Sequence, residues 1–550
     1  MASNIKTIRI ESILGGQSPS TYFARKDQFL ASTGIDPGLT KDDTSVAFNT
    51  IGSCGLLRPA SSVKLSSSDV ANAPMWIVDE PKGSKAYVYD AGGSTHTLNM
   101  GGVPTITAIS DAGEMTGGAG NGAAYYDNYI YFAKATTVAR YGPLDGTKTL
   151  DGNYWTTTLG KTALTNPVYP LTMGSIRLPN HILHRHSDGK LYIGDVVDNQ
   201  GTIHYIRTTK TTVEGDTDNG STFGALTIGR SLYPTALESY GQNLVIALVE
   251  AWATSTTNSS VAPSGRAKIA FWDTVSQNFN QIIFVEFPDP MITAMKNIDG
   301  VLYVVSGNPN SSGFRLSRFV GGYTFEEVIY SPLNSPAVAG AIDGDSRRLL
   351  FGTFSRAPTT CAAVLSLGLQ QAALGQGLFN TLRATSPAVI SGVTALLINK
   401  SQTFLSPQPF VGWSDGSAAD STNNGVDNPV PNTSGVYSGA TQIWWSQIYR
   451  IGKPFRIKSI RLPFAMAMAT GMTLTPKIYT DDASSNYTGD TYGLPVLNTS
   501  SLPNGERYAN LKNVTVEGYN NFFLALEWSG SVLLTVSLPI TIEVEIIEDQ

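Results

Sequence analysis

The sequence predicts an all-β protein: a β-propeller of seven blades, within a range of six to eight, followed by a C-terminal β-sandwich of jelly-roll type. Three observations lead there. Charged residues make up only 15% of the chain, against roughly 25% in average soluble domains, while Gly, Ser, Thr, Asn and aromatic residues are abundant. Exposed helices carry more Glu and Lys than this. The phrase "MITAMKNIDGVLYVVSG" from Met291 recurs in altered form along the middle of the chain. Beyond residue 440, segments such as "FRIKSIRL" and "ITIEVEI" alternate apolar and polar residues, as sheets with one wet face do.

The copies of the phrase begin at Met75 ("MWIVDEPKGSKAYVYDAG"), Ile106 ("ITAISDAGEM"), His181 ("HILHRHSDGKLYIGD"), Pro234 ("PTALESYGQNLVIALVEAW"), Ala337 ("AVAGAIDGDSRRLLFGTF") and Ala388 ("AVISGVTALLINKSQTFL"). They recur at about 50 residues, a spacing typical of propeller blades. Each has an apolar strand, a turn and a second apolar strand. The second strands, "YIYFA", "LVIALV" and "LYVV", are continuously apolar, which fits middle strands covered by a neighbouring sheet on each side. The chain therefore divides into 1–70, an extended N-terminal arm and ring-closing strand; 71–407, the propeller; 408–440, a polar linker or long loop; and 441–550, the sandwich.

Net charge is −6, from 37 Lys and Arg against 43 Asp and Glu, without a basic run that would grip phosphates. Specific nucleic-acid binding is disfavoured. Cys54 and Cys361 lie far apart and indicate neither a disulfide framework nor a thiolate zinc site. No stretch is apolar for long enough to predict membrane insertion, and the N-terminus lacks the apolar core of a signal peptide.

At the N-terminus "LGGQSPSTYFARKDQFLASTGID", followed by "GLLRP", resembles the opening of propeller proteins from tailed-bacteriophage tails, including the tail nozzle (tail tubular B) proteins. Gly15, Gly16, Gly55, Arg58 and Pro59 carry the resemblance. It implies a non-enzymatic virion component, assembled in the host cytoplasm, that forms a ring or collar with other copies of itself, a hexamer first among the options. Its neighbours would be tail, adaptor or fibre proteins, and genomic DNA would pass without specific binding. Phe23, Phe29, Leu30 and Ile35 in the arm are too few for a core of their own and are the expected interface residues.

Two other functions compete. A glycan- or receptor-binding tail protein would act through the sandwich, with Trp413, Trp444 and Trp445 as stacking surfaces for a host-surface glycan, although adjacent tryptophans on a strand face opposite ways and one of the pair is expected in the core. A propeller glycoside hydrolase is the other. The turns "SDGKLYIG" and "WSDGSAAD" depart from the Ser-x-Asp-x-Gly-x-x-Trp pattern of sialidase blades, and no Gly-x-Ser-x-Gly elbow appears in a strand-turn-helix context. No catalytic residue and no cofactor is expected.

Four of the five histidines fall between His181 and His204. His184 and His186 share one face of an extended strand, and with His204 on an adjacent strand they form a candidate metal site. The acidic turns at Asp343 and Asp420 lack the alternating ligand spacing of dedicated calcium loops and read as ordinary turns.

Overall fold

A computed structural model describes residues 4–547 apart from several segments, the longest being 18–25, 37–55, 110–118, 165–171, 208–225, 251–264, 355–361, 378–391, 400–407, 415–423, 431–441 and 482–489. The chain is all-β, and its central part is a β-propeller of four-stranded antiparallel sheets, most of them built in simple up-and-down order. The first sheet runs Pro74–Asp79, Lys85–Asp90, Thr95–Asn99, Thr105–Ala108, and the second Ala119–Tyr126, Tyr129–Lys134, Val138–Gly142, Thr149–Asp151. The third is Leu183–Arg185, Leu191–Val197, Gln200–Ile206, Leu226–Arg230; the fourth is Leu232–Tyr240, Asn243–Glu250, Lys268–Trp272, Ile283–Glu286. The fifth is Met291–Ile298, Val301–Gly307, Phe314–Gly321, Thr324–Ser331, and the sixth Ile342–Gly344, Arg348–Gly352, Val364–Gly368, Ala373–Gly377. In the seventh, Gly392–Asn399, Gln408–Ser414 and Asn424–Val430 are joined by Ser61–Lys64 from the N-terminal part of the chain.

The leading strand of each sheet lies against the leading strand of the next, and Gly392–Asn399 lies against Pro74–Asp79. Separate apolar cores fill the spaces between neighbouring sheets. Tyr89 and Val78 of the first sheet meet Ile130 and Phe132 of the second, and Tyr192 of the third meets Ile246 and Leu248 of the fourth. The second strands are covered on both faces, as their unbroken apolar runs imply; Leu302 to Gly307 are all buried.

The recurring Thr-Ala step has a structural cause. In the fourth, fifth and seventh sheets the ladder shifts register at Thr235, Thr293 and Thr394, so the threonine is the extra residue of a β-bulge and the alanine resumes the pairing. Thr235 Oγ1 donates to Ile292 O at 2.6 Å, tying the bulge to the adjacent sheet. The Thr-Ala pair at Thr107 is different: it belongs to the outermost strand of the first sheet, so that copy of the phrase is not equivalent to the others. Near the axis, a Cβ on Gly340 would stand 2.2 Å from Met75 O, and glycine alone permits this approach.

The expected linker at 408–440 is corrected by the structure. Gln408–Ser414 and Asn424–Val430 are strands of the seventh sheet. Their polar residues are buried and paired: Asn424 Nδ2 donates to Ala71 O, Asn428 Nδ2 to Pro409 O, and Asp427 accepts from Trp413. Buried polar groups of this kind imitate loop composition.

Both ends of the chain fold together. One terminal sheet orders Ile5–Ile10, Ile540–Ile546, Phe455–Pro463, Tyr508–Gly518. A second contains Gly16–Gln17, Gln28–Thr33, Gln442–Ser446, Asn521–Gly530, Met472–Thr480 and Asp490–Gly493, with Tyr449–Arg450 beside Asn521–Gly530. They share one core, including Ile8, Ile10, Phe29, Trp444, Ile457, Ile478, Leu526 and Ile542. The expectation of an extended N-terminal arm is corrected for Ile5–Ile10 and Gln28–Thr33, which find partners in the C-terminal sheets. Leu56–Pro59 pairs with Val536–Ser537 and with Ile35–Asp36, and two residues later Ser61–Lys64 enters the seventh sheet. Cys54, Cys361 and Phe23 lie outside the described residues.

Removing Ser61–Lys64 would leave the backbone groups of Asn424–Val430 without their outer partner. The expected outcome is a melting temperature several degrees lower, or aggregation, compared with a control deletion in 37–50. A deletion that melts like the intact chain would count against ring closure by this strand.

Candidate functional site

The leading strands place four ionisable side chains at one level of the central channel. His184, Glu238, Lys296 and Asp343 come from the third to sixth sheets and stand opposite Tyr192, Val245, Tyr303 and Leu350 in their ladders. Each partner is the second residue of its apolar run, so the four positions are equivalent. A cavity of about 260 Å³ is lined by these residues and by apolar ones, among them Ile77, Leu183, Leu237 and Leu397.

Lys296 Nζ lies 3.0 Å from Asp343 Oδ1, and Asp343 Oδ2 accepts from Ile398 N at 2.8 Å. Beside them, Ser239 Oγ is shared by His184 Nε2 at 2.7 Å and His186 Nδ1 at 2.8 Å. Glu238 Oε1 accepts from Ser239 N at 2.9 Å and is 3.8 Å from His184 Nε2. Burial, reinforced by the Lys296 and His186 charges, pushes the His184 imidazole down to about 3. Burial likewise raises Glu238, against the opposing pull of Lys296. Lys296 is raised, chiefly by Asp343. At neutral pH the sector therefore holds a Lys296–Asp343 ion pair next to a neutral, hydrogen-bonded imidazole.

The three-histidine metal site is corrected. His204 stands opposite Ile193, in the row of Leu183, whereas His184 stands opposite Tyr192, so the alternation of the strands sends them to different faces. His204 Nε2 lies 3.4 Å from Asp195 Oδ2 and packs edge-on to Trp155. The same device occurs in the first sheet, where His96 Nε2 is 3.4 Å from Asp90 Oδ2. In both sheets the histidine faces the residue two before the aspartate, and all four side chains are buried. His204 belongs to this repeated structural pair. Among the described residues no three His, Cys, Asp or Glu side chains are grouped to hold a metal.

The aromatic and arm candidates also sit elsewhere than expected. Trp413 is buried in the seventh sheet and donates through Nε1 to Asp427 Oδ1 at 3.0 Å. Trp444 is in the terminal core; Trp445 is half-buried with its ring 6.3 Å from Phe523. Trp413 and Trp444, being buried, offer no stacking platform. Phe29 and Leu30 are buried within their own chain, and the backbone of Ile35 pairs with Pro59. Packing explains both: large apolar side chains on strands with one closed face are drawn into the nearest core.

Sequence reasoning missed Glu238 and Lys296 as site residues and read Asp343 as a turn residue. Superposing "TALESYG" on "TAMKNIDG" sets Glu238 over Lys296, which was the available signal.

Solved structures are similar to this chain. The WD40 β-propeller domain of Doa1 is 12% identical, with 68% of this chain and 97% of that one covered at a TM-score of 0.39. The computationally designed Ika8 protein is 13% identical, with 66% and 98% covered at a TM-score of 0.34. No protein-family model and no curated protein matches the sequence. Among the described residues no helix is long and apolar enough to cross a membrane.

Two outcomes follow for the channel. Because the folded-state value of His184 lies below its unfolded value near 6.5, the unfolded chain binds one more proton between about pH 6.5 and 3. Its contribution to stability is intact above that window and falls with pH inside it, by up to about 1.4 kcal/mol per pH unit. Urea unfolding across pH 4–7 should show this slope, and His184→Gln should flatten it. Asp343→Ala, which strands Lys296, is expected to cost about 1–3 kcal/mol given the partial exposure of the lysine, and Lys296→Met/Asp343→Leu less than either single change. A double variant as unstable as the sum would show that the two groups are not coupled.

Proposed function

We propose that this chain is a non-enzymatic structural component of a bacteriophage tail, a seven-bladed propeller closed by Ser61–Lys64 and carrying a jelly-roll-type sandwich made from both chain ends. The observation that carries the reading is a set of exposed apolar side chains on the outer strands of two neighbouring sheets. Ile283 and Phe284, on the outermost strand of the fourth sheet, are 47% and 50% exposed, and Val320 and Tyr323, in the third strand and following turn of the fifth, 53% and 46%. Tyr323 packs against Phe271, which is the ladder partner of Ile283, so apolar surface runs from Ile283 to Tyr323 across two adjacent sheets. Beneath it Tyr240, Phe319 and Phe325 form a rigid aromatic base. Exposed apolar side chains beside an outermost strand favour a permanent contact with another protein.

The sequence resemblance to tail nozzle proteins supports the setting. Phe29 and Leu30 are buried in their own chain, so the rim takes their place as the contact between copies in a cyclic ring or with a neighbouring tail protein. Genomic DNA would pass through the lumen formed by such a ring, since the channel of a single chain is a small cavity lined by side chains.

Phe284→Glu and Tyr323→Glu should leave melting unchanged within a degree or two while lowering incorporation into particles by tenfold or more, measured by quantitative mass spectrometry of purified virions. Normal incorporation of both variants would remove the rim from the assembly, and absence of the chain from virions would remove the proposed function.

A further inference from the structure

We propose that the outward face of the terminal sheet containing Ile5–Ile10 is a groove that binds an anionic polysaccharide. This goes beyond the assembly role and does not depend on it. Ile8, Ile10, Ile460, Leu462, Ile540 and Ile542 turn inward and are buried, so the alternating residues of the same strands point outward. Ladder register arranges them in two rows across the sheet. One row reads Arg9, Thr541, Arg461, Asn510; the next reads Thr7, Glu543, Ser459, Lys512. The face encloses a groove of about 830 Å³, which Lys458 and Asn513 also line.

The groove is cationic in an anionic chain. Arg9, Lys458, Arg461 and Lys512 face a single acid within it, Glu543, whereas the whole protein carries −6. Lys458 is matched at 3.1 Å by Glu545, and Arg456 by Glu517, both toward one end. Arg9 has only an open contact of 3.9 Å with Glu11, in which both side chains are more than half exposed; pairs of that kind contribute little. The excess positive charge therefore belongs to Arg9, Arg461 and Lys512. Arg9 and Arg461 lie two strands apart, roughly 10 Å, with Thr541 between them.

The rest of the groove selects the class of ligand. Thr7, Ser459, Asn510, Asn513 and Thr541 are neutral hydrogen-bonding groups suited to hydroxyls. The Arg461 guanidinium sits 5.3 Å from the ring centre of Tyr508, which is 48% exposed. That pairing holds a bidentate cation beside an apolar ring face, which together match a sugar carrying a carboxylate or sulfate. Duplex DNA would call for a denser row of cations along its phosphates.

The test uses the full chain, with polygalacturonate and heparin as probes and dextran as the neutral control, in titration calorimetry at low and physiological salt. Expected are saturable, salt-sensitive binding to at least one charged polymer and none to dextran. Arg461→Ala and Arg9→Ala should each weaken binding by about tenfold, Arg461→Lys should fall between, and Glu543→Gln should tighten it, all with unchanged melting. Absence of saturable binding, equal affinity in the Arg9→Ala/Arg461→Ala/Lys512→Ala variant, or preference for duplex DNA would each overturn the proposal.

Discussion

The architecture depends on pairing the outer edge of one sheet. Gly392–Asn399, Gln408–Ser414 and Asn424–Val430 form only three strands, and the fourth, Ser61–Lys64, must come from the other side of the propeller in sequence. Because Lys64 pairs with Asp427 and Leu57 is buried in the terminal core, a few residues connect the last sheet to the terminal pair of sheets. Backbone hydrogen bonding thus fixes the ring and couples it to its appendage. The β-bulges then set how closely the leading strands approach the axis, with Thr235 binding across to Ile292 and Gly340 admitting Met75.

Around that axis polarity is unevenly distributed. Four successive sheets supply His184, Glu238, Lys296 and Asp343, while the seventh supplies Leu397 at the matching level. A partly buried ion pair is retained here, with Asp343 further anchored by Ile398 N and the neighbouring imidazoles held by Ser239. Such an arrangement orders the strands relative to one another more than it adds net stability, since desolvation offsets much of the attraction.

The legible part of the fold was the part with periodic packing. Repeated second strands such as "LYVV" reveal themselves because coverage on both faces leaves no place for polar residues, and the alternation in "ITIEVEI" marks a sheet with one wet side. The seventh sheet was obscured by Asn424, Asp427 and Asn428, whose side chains satisfy buried partners and so look like a turn in composition. Long-range pairing was equally hidden. Nothing local in "IKTIRI" announces Ile540–Ile546 as its partner, and the two rows of the basic groove arise only once Arg9 and Arg461 are brought into one register through Thr541. His204 shows the converse error: closeness in sequence to His184 concealed that a single residue of register separates the two faces.

The pairing of Ile5–Ile10 with Ile540–Ile546 also sets a timetable for biogenesis. A ribosome adding about 5–20 residues per second releases the first strand roughly half a minute to two minutes before its partner exists. Sheets between residues 74 and 377 can form in order as they emerge, each on the surface of the last. The opening residues cannot, and must wait with Ile8, Ile10, Phe29 and Leu57 uncovered until Ile540–Ile546 has been made. Closing this terminal sheet is therefore a late step of high contact order, and the interval before it is when the nascent chain is most exposed to chaperones, proteases and its own neighbours on the polysome.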